Sequence, residues 1–237
     1  MKIIAVITAR SGSKSIPDKN IRNLGGIPLL GWSLKALSKS TMVDEIIFSS
    51  DSNSYFEIAK SINDGIIFHK RSSELSEDVP SELVLLDVIE KFDSVFDDNS
   101  IIVLIQPTTP FLSTSNIDEC INNLVENPKM NTSVSVKILE EYPEWTIHSQ
   151  PDNPNTGICK DIMGSLSVRQ NLSKRFIPNG GIYAMKVSFL KKEKKIIDNE
   201  TLIYEMSKLS SIDIDNEADF LICDSLVKSG IVPESKY

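Results

Sequence analysis

The chain opens on an apolar run of strand length, Lys2-Ile-Ile-Ala-Val-Ile-Thr8, that stops at a polar loop, Arg10-Ser-Gly-Ser-Lys-Ser-Ile-Pro-Asp-Lys-Asn20. A near-continuous apolar run reads as a strand covered on both faces, so residues 2–8 predict the central strand of a parallel α/β sheet. Ligands of such sheets bind in the crevice at the carboxyl ends of the strands. Arg10, Lys14 and Lys19 therefore stand where a polyanion would lie. Lys2, Arg10, Lys14, Lys19 and Arg22 are opposed here only by Asp18, although the whole chain carries a formal charge of −8. Positive charge concentrated on a negative background suits a small anionic ligand. It argues against general binding to nucleic acid or to an anionic membrane.

The rest of the chain alternates strand and helix signals. Strands are expected at Glu45–Ser50, Ile66–His69, Ser100–Ile105, Thr132–Ile138, Asn179–Met185 and Lys208–Ile214. Between them, Leu30, Leu34 and Leu37 recur at helical spacing after Pro28, and Phe56, Ala59 and Ile62 do so after Asp51. Further helices are expected over Ser81–Phe92, from a Ser115 cap to Asn127-Pro128, over Ser188–Lys195, and over Asn216–Lys228 with Phe220, Leu221 and Leu226 inward. This alternation predicts a mostly parallel sheet with right-handed crossovers, and 237 residues suit a single α/β domain. Residues 139–178 break the rhythm with Pro143, Pro151 and Pro154 and the basic Arg169, Lys174 and Arg175. A structureless loop of that length is unusual in a compact domain, so this segment reads as an inserted arm with short strands of its own.

Cys120, Cys159 and Cys223 lie far apart, and His69 and His148 are isolated in sequence, so no paired metal spacing is evident. Reduced thiols and the lack of a secretory leader or a membrane-spanning run lead to the expectation of a cytoplasmic protein. Lys191-Lys-Glu-Lys-Lys195 reads as a solvated helix end.

Two stretches carry chemistry. The Ser11-Gly12-Ser13 turn can form a nest of backbone amides for phosphate, with Arg10, Lys14 and Lys19 on its rim; the alternative is a solvated basic loop. Neither the Walker spacing nor the dinucleotide fingerprint is present. In Asp213-Ile214-Asp215 the carboxylates stand two apart, and on a strand both would face one side. Such a pair suits Mg²⁺, which takes one or two carboxylates plus substrate phosphates; the alternative is a helix cap formed by Asp215. Gln106, held in Gln106-Pro-Thr-Thr-Pro110 at the end of the most apolar strand, is suited either to a substrate contact or to a structural bond. Arg71, Ser81, Arg169-Gln170 and Asn179-Gly-Gly-Ile-Tyr183 show no distinct chemistry by spacing alone.

Taken in order, these stretches resemble the CMP-acylneuraminate synthetases, cytidylyltransferases that activate sialic acids. The resemblance runs through Ala9-Arg10-x-Gly-Ser-Lys14-(x)4-Lys19-Asn20, Ser50-Asp51-Ser52, Arg71-x-x-Glu-Leu75, Asp78-x-x-Ser81, Gln106–Pro110, Arg169-Gln170, Asn179–Tyr183 and Ser211-Ile-Asp213-Ile-Asp215. It implies a three-layer α/β/α Rossmann-like nucleotidyltransferase fold over residues 1–237, with the 139–178 segment as a dimerisation arm of a homodimer. It also implies a reaction: CTP and an acidic nine-carbon 2-keto sugar of sialic, legionaminic or pseudaminic type give a CMP-sugar and pyrophosphate, with Mg²⁺. By the same resemblance Arg10, Ser11, Gly12, Ser13, Lys14, Lys19, Asn20, Arg71 and Ser81 would bind the nucleotide. Arg10, Lys14, Lys19, Asp213 and Asp215 would be catalytic, the two aspartates holding the metal. Gln106, Arg169, Gln170, Asn179 and Tyr183 would meet the sugar. The chain departs from the family pattern at Ser15, at Leu112 and at Tyr142-Pro143-Glu144-Trp145, the last suggesting a different sugar periphery. A synthetase for the eight-carbon acid Kdo and a non-catalytic nucleotide-binding module are the alternatives.

Overall fold

The computed structural model describes residues 1–141, 147–150, 153–158 and 173–232. By contact density the chain forms two compact units, Met1–Val136 with Pro178–Tyr237, and Lys137–Ile177. In chain order the elements are β1 (Ile3–Thr8), the hairpin β2 (Asn23–Leu24) and β3 (Ile27–Pro28), α1 (Leu29–Ser38), β4 (Glu45–Ser50) and α2 (Asn53–Ile62). Next come β5 (Ile67–Lys70), α3 (Ser81–Lys91), β6 (Ile101–Ile105), α4 (Thr114–Glu126), β7 (Thr132–Ile138), β8 (His148–Gln150) and β9 (Asn153–Ile158). The chain continues through β10 (Phe176–Lys186), α5 (Val187–Glu193), β11 (Leu202–Glu205) and α6 (Glu217–Lys228).

A seven-stranded sheet in the order β11-β7-β10-β6-β1-β4-β5 forms the centre of the larger unit. β1 is parallel to both β4 and β6, β4 to β5, and β7 to β11, whereas β10 runs antiparallel to β6. The sheet is therefore mostly parallel, and β1 sits inside it. The carboxyl ends of β1, β4, β5 and β6 share one edge, so the segments that leave them converge there. In the smaller unit β8 and β9 form an antiparallel pair, and the Leu139 amide donates to the Arg175 carbonyl.

Apolar residues explain the layers. Ala5 and Ile7 of β1, Phe48 of β4 and Val103 of β6 pack with Leu30, Leu34 and Leu37 of α1 and Ile117, Ile121 and Leu124 of α4. A second cluster joins Leu29 and Trp32 of α1 to Phe111, Ile214, Phe220 and Cys223, with Trp32 edge-on to Phe111 at 5.6 Å. α1 contributes to both clusters, which is why it is apolar nearly all round. Among the described residues no helix is long and apolar enough to cross a membrane.

Three expectations about the elements are corrected. The last strand is Leu202–Glu205, an edge strand paired to β7, and residues 207–211 form a hydrogen-bonded turn instead. An edge strand buries only alternate residues, so its weak apolar signal was outweighed by the Leu209–Ile214 run. The α4 cap is Ser113, not Ser115, in a reciprocal pair with Asn116. Leu221 is 54% exposed, because the inward face of α6 is set by Phe220 and Cys223.

Candidate active site

The loop after β1 is held by bonds to distant parts of the chain that aim Lys19 inward. The Ser11 amide and hydroxyl both donate to the Asp51 carboxylate, at 2.8 and 2.6 Å. Burial works against the charged form of Asp51, but these two bonds prevail and hold its carboxyl below the ordinary range. Asp18 then takes a left-handed backbone (φ 51°, ψ 32°), a conformation Asp tolerates better than most residues, and its carboxylate accepts the Tyr55 hydroxyl at 2.9 Å. That turn starts a short 3₁₀ segment, Lys19–Ile21, which drives Lys19 inward to 9% exposure. Lys19 Nζ donates to the Ile214 carbonyl at 2.7 Å. Burial lowers the Lys19 pKa, with Asp215 and Asp213 pulling the other way. Asn20 Nδ2 donates to the Arg10 carbonyl at 3.0 Å, while its Oδ1 is buried without a hydrogen-bond partner.

Residues 213–215 are pinned through the middle one. Ile214 is fully buried in the second apolar cluster, its amide donates to the Thr108 carbonyl at 2.8 Å, and its carbonyl receives Lys19. Fixing Ile214 fixes the carboxylates on either side. They do not lie on a strand, so the same-face argument from strand geometry is corrected. Both nonetheless reach one cavity. The cap of α6 is Asn216, in a reciprocal pair with Asp219, which leaves the Asp215 carboxylate out of the capping bonds. Arg22 doubles the tie between the loop and α6: its guanidinium makes two bonds to Glu217, at 2.5 and 2.7 Å, and lies 4.0 Å above the Phe220 ring.

The cavity encloses about 490 Å³ at the strand ends. Arg10, Ser13, Lys14, Lys19 and Asn20 line it from the first loop, Arg71 and Ser81 from the segment after β5, Gln106 from the end of β6, and Asp213 and Asp215 from before α6. Arg10 and Lys14 both approach Asp78, at 3.1 and 3.8 Å, in exposed ion pairs that a stronger anion can exchange. Arg71 is 8% exposed and donates from Nε to Ser49 Oγ (2.9 Å) and from Nη2 to the Ser49 carbonyl (3.2 Å). Burial brings its pKa down to about 10, with Asp51 pulling up and Arg10 pushing down.

Several residues expected at the site are elsewhere. Ser11 and Gly12 do not line the cavity, since Ser11 is engaged by Asp51. Asn179 is a buried structural hub. Its Oδ1 accepts from Ser135 Oγ (2.6 Å) and the Gly181 amide (3.1 Å), and its Nδ2 donates to Ser211 Oγ (2.9 Å) and Met206 Sδ (3.3 Å). No capacity remains for a ligand. Asn179→Ala is expected to lower unfolding stability by about 2–4 kcal/mol in a denaturant titration, because several buried partners lose their mate together. Tyr183 is buried outside the lining; burial and then Asp213 push its phenol up, against an amide bond from Gly180. Arg169 and Gln170, with Tyr142–Trp145, lie outside the described residues. Sequence reasoning did not single out Thr8, and it quoted Asp78 and Thr108 within matched stretches without giving them a role, yet all three line the cavity. The available signal for Thr8 was its being the one hydroxyl in the opening apolar run.

A cytidylyltransferase family model matches residues 4–150, which include the first loop, Arg71, Ser81 and Gln106. The chain belongs to the cytidylyltransferase family. Among cytidylyltransferases of known name, it is 33% identical over 226 residues to an N-acylneuraminate cytidylyltransferase of Streptococcus agalactiae serotype V, covering 93% of this chain and 52% of that protein. It is 30% identical over 240 residues to a CMP-N,N'-diacetyllegionaminic acid synthase of Legionella pneumophila, covering 96% of this chain and 97% of that one. The chain thus spans about half the length of the first relative and nearly all of the second. The fold is that of a CMP:2-keto-3-deoxy-manno-octonic acid synthetase solved with CTP, at a TM-score of 0.71 and 13% identity over 97% of this chain and 100% of that one. This match agrees with the expected nucleotidyltransferase fold.

The carboxylates of this cytidylyltransferase fit a hard divalent cation. Gly180 adopts φ +79°, and a Cβ there would come within 3.0 Å of Asp213 Oδ2. Only glycine leaves that approach open. Among the described residues no group of three or more His, Cys, Asp or Glu side chains converges as a metal cluster, so Asp213 and Asp215 would act as a pair, apart from Glu77 and Asp78 that also line the cavity. Mg²⁺ bound together with substrate phosphates needs no more.

Proposed function

We propose that this cytidylyltransferase joins CMP from CTP to the anomeric hydroxyl of an acidic nine-carbon 2-keto sugar and releases pyrophosphate. The observation that carries the reading is the meeting of Arg10, Lys14 and Lys19 with Asp213 and Asp215 on one cavity, beside the buried donor Arg71. The names of the Streptococcus and Legionella relatives support the sugar class.

In this reading the triphosphate lies along Arg10, Ser13, Lys14 and Lys19. Asn20 Oδ1, a buried acceptor with no mate, receives a donor from the cytidine, and Arg71 and Ser81 hold the rest of it. The sugar hydroxyl attacks the α-phosphorus, and its proton passes to solvent water as the new O–P bond forms. The bond to the β-phosphate breaks, and the leaving pyrophosphate carries the displaced charge. Lys19, a cation in a sheltered site, is aimed at that charge, and such preorganised groups usually supply the largest share of catalysis. Asp213 and Asp215 would hold Mg²⁺, which when bound neutralises triphosphate oxygens. Gln106 meets the sugar from the β6 end. Arg169 and Gln170 are assigned to the sugar's carboxylate side by resemblance. The 139–178 segment is read as a dimerisation arm and the cytoplasm, where CTP is available, as the site of action.

The test is pyrophosphate release from CTP with Mg²⁺ across a panel of sialic, legionaminic, pseudaminic and eight-carbon Kdo-type acids. Release with a nine-carbon acid is expected. Release with the Kdo-type acid alone would reassign the substrate, and CTP binding without release would leave a binding module.

A further inference from the structure

We infer that Ser49, His69 and Asp87 form a positioning relay that locks the Arg71 guanidinium in the orientation in which it meets the nucleotide. The inference rests on the functional reading above and adds three residues that do not touch the cavity.

Register creates the relay. β4 and β5 are parallel with Ser49 opposite His69, so the two side chains are neighbours across the sheet. Ser49 Oγ lies 2.9 Å from His69 Nδ1, and His69 Nε2 lies 2.8 Å from Asp87 Oδ2 on α3. Ser49 and His69 are wholly buried, and Phe92 packs edge-on to the imidazole at a centroid distance of 6.1 Å.

With a neutral imidazole the donor and acceptor roles follow in order from Arg71 to Asp87. Arg71 Nε can only donate, so Ser49 Oγ accepts from it. The single hydroxyl proton of Ser49 is then free to go to His69 Nδ1, provided that nitrogen is bare. Asp87, which also accepts from Lys91 Nζ at 2.9 Å, takes the remaining imidazole proton at Nε2. Burial favours this neutral form of His69. A proton on Nδ1 would instead turn the Ser49 hydroxyl hydrogen back toward Arg71. With Nε on Ser49 Oγ and Nη2 on the Ser49 carbonyl, one edge of the guanidinium is fixed. Nη1 makes no hydrogen bond among the described residues, and it is left to an acceptor such as a base carbonyl. An arginine spends much rotamer entropy when it orders, so a fixed fork lowers what binding must supply.

The experiment measures the CTP Kd by calorimetry, together with KM and kcat, in the wild-type protein and in Ser49→Ala, His69→Phe, His69→Asn and Lys91→Ala. Ser49→Ala and His69→Phe are expected to weaken CTP about tenfold, the worth of one hydrogen bond to a charged group, with kcat nearly unchanged at saturating CTP. His69→Asn, whose amide oxygen can replace Nδ1 as acceptor, is expected to recover most of that loss. Lys91→Ala is expected to leave the Kd at the wild-type value. Imidazole ¹⁵N spectra of the wild-type protein should show Nδ1 bare and Nε2 protonated. Protonated Nδ1, or a Ser49→Ala variant that binds CTP like wild type, would overturn this inference alone. A wild-type protein that fails to bind CTP would overturn the functional reading and this inference with it. Ser49→Ala removes one oxygen atom, and together with the spectra it carries the test if His69→Phe does not fold.

Discussion

Lys19→Met is expected to lower kcat/KM for CTP by about 10²–10³-fold, the scale on which a preorganised charge aimed at a developing anion is felt. The side chain is nearly buried and its ammonium is spent on one carbonyl, Ile214, with Asp213 and Asp215 near enough to favour its charge. Methionine keeps the length and the apolar stem but removes the charge and the bond to Ile214. Two effects should therefore appear together, weaker triphosphate binding and slower turnover. Lys19→Arg is expected to restore little, because a planar fork does not fit a site built for a compact ammonium. Steady-state kinetics over a CTP series would check both variants. Activity within tenfold of wild type in Lys19→Met would remove the residue from the proposed mechanism.

Asp215→Asn is the second large effect. It is expected to lower Mg²⁺-supported turnover by about 10²-fold or more while the thermal midpoint stays close to that of the wild-type protein. The separation follows from the capping arrangement. Asn216 and Asp219 satisfy the first turn of α6, so the Asp215 carboxylate can be neutralised without uncapping the helix. Asp213→Asn should lose turnover in the same way, but Asp213 lies against Gly180 and its replacement is more apt to disturb packing. Turnover measured over a Mg²⁺ series, with unfolding followed in parallel, distinguishes metal loss from fold loss. Full turnover in Asp215→Asn at limiting Mg²⁺ would rule the residue out as a ligand.

Much of the fold was legible because buried parallel strands advertise themselves. Glu45–Ser50 and Thr132–Ile138 lie at the expected bounds, and β1 and β6 within a residue of them. β11 was not legible, because an edge strand with one exposed face has an apolar pattern no stronger than that of a turn. The candidate site divides in a similar way. Its charged residues stood out against their surroundings, so Arg10, Lys14, Lys19, Asp213 and Asp215 could be picked out one by one. That Asn179 is structural could not be read, since an amide's role is set by partners at Ser135, Met206 and Ser211 that only tertiary structure brings close. His69 looked isolated for the same reason. Its partners come from a neighbouring strand and a following helix, and sequence distance hides both.

The bond from Lys19 to Ile214 spans 195 positions of the chain. The basic loop and the Asp213–Asp215 segment that face each other across the cavity are therefore far apart in sequence. A fragment that ends before residue 213 would have neither carboxylate nor the carbonyl that steadies Lys19. The two halves of the cavity are thus covalently remote, and only the folded chain brings them together.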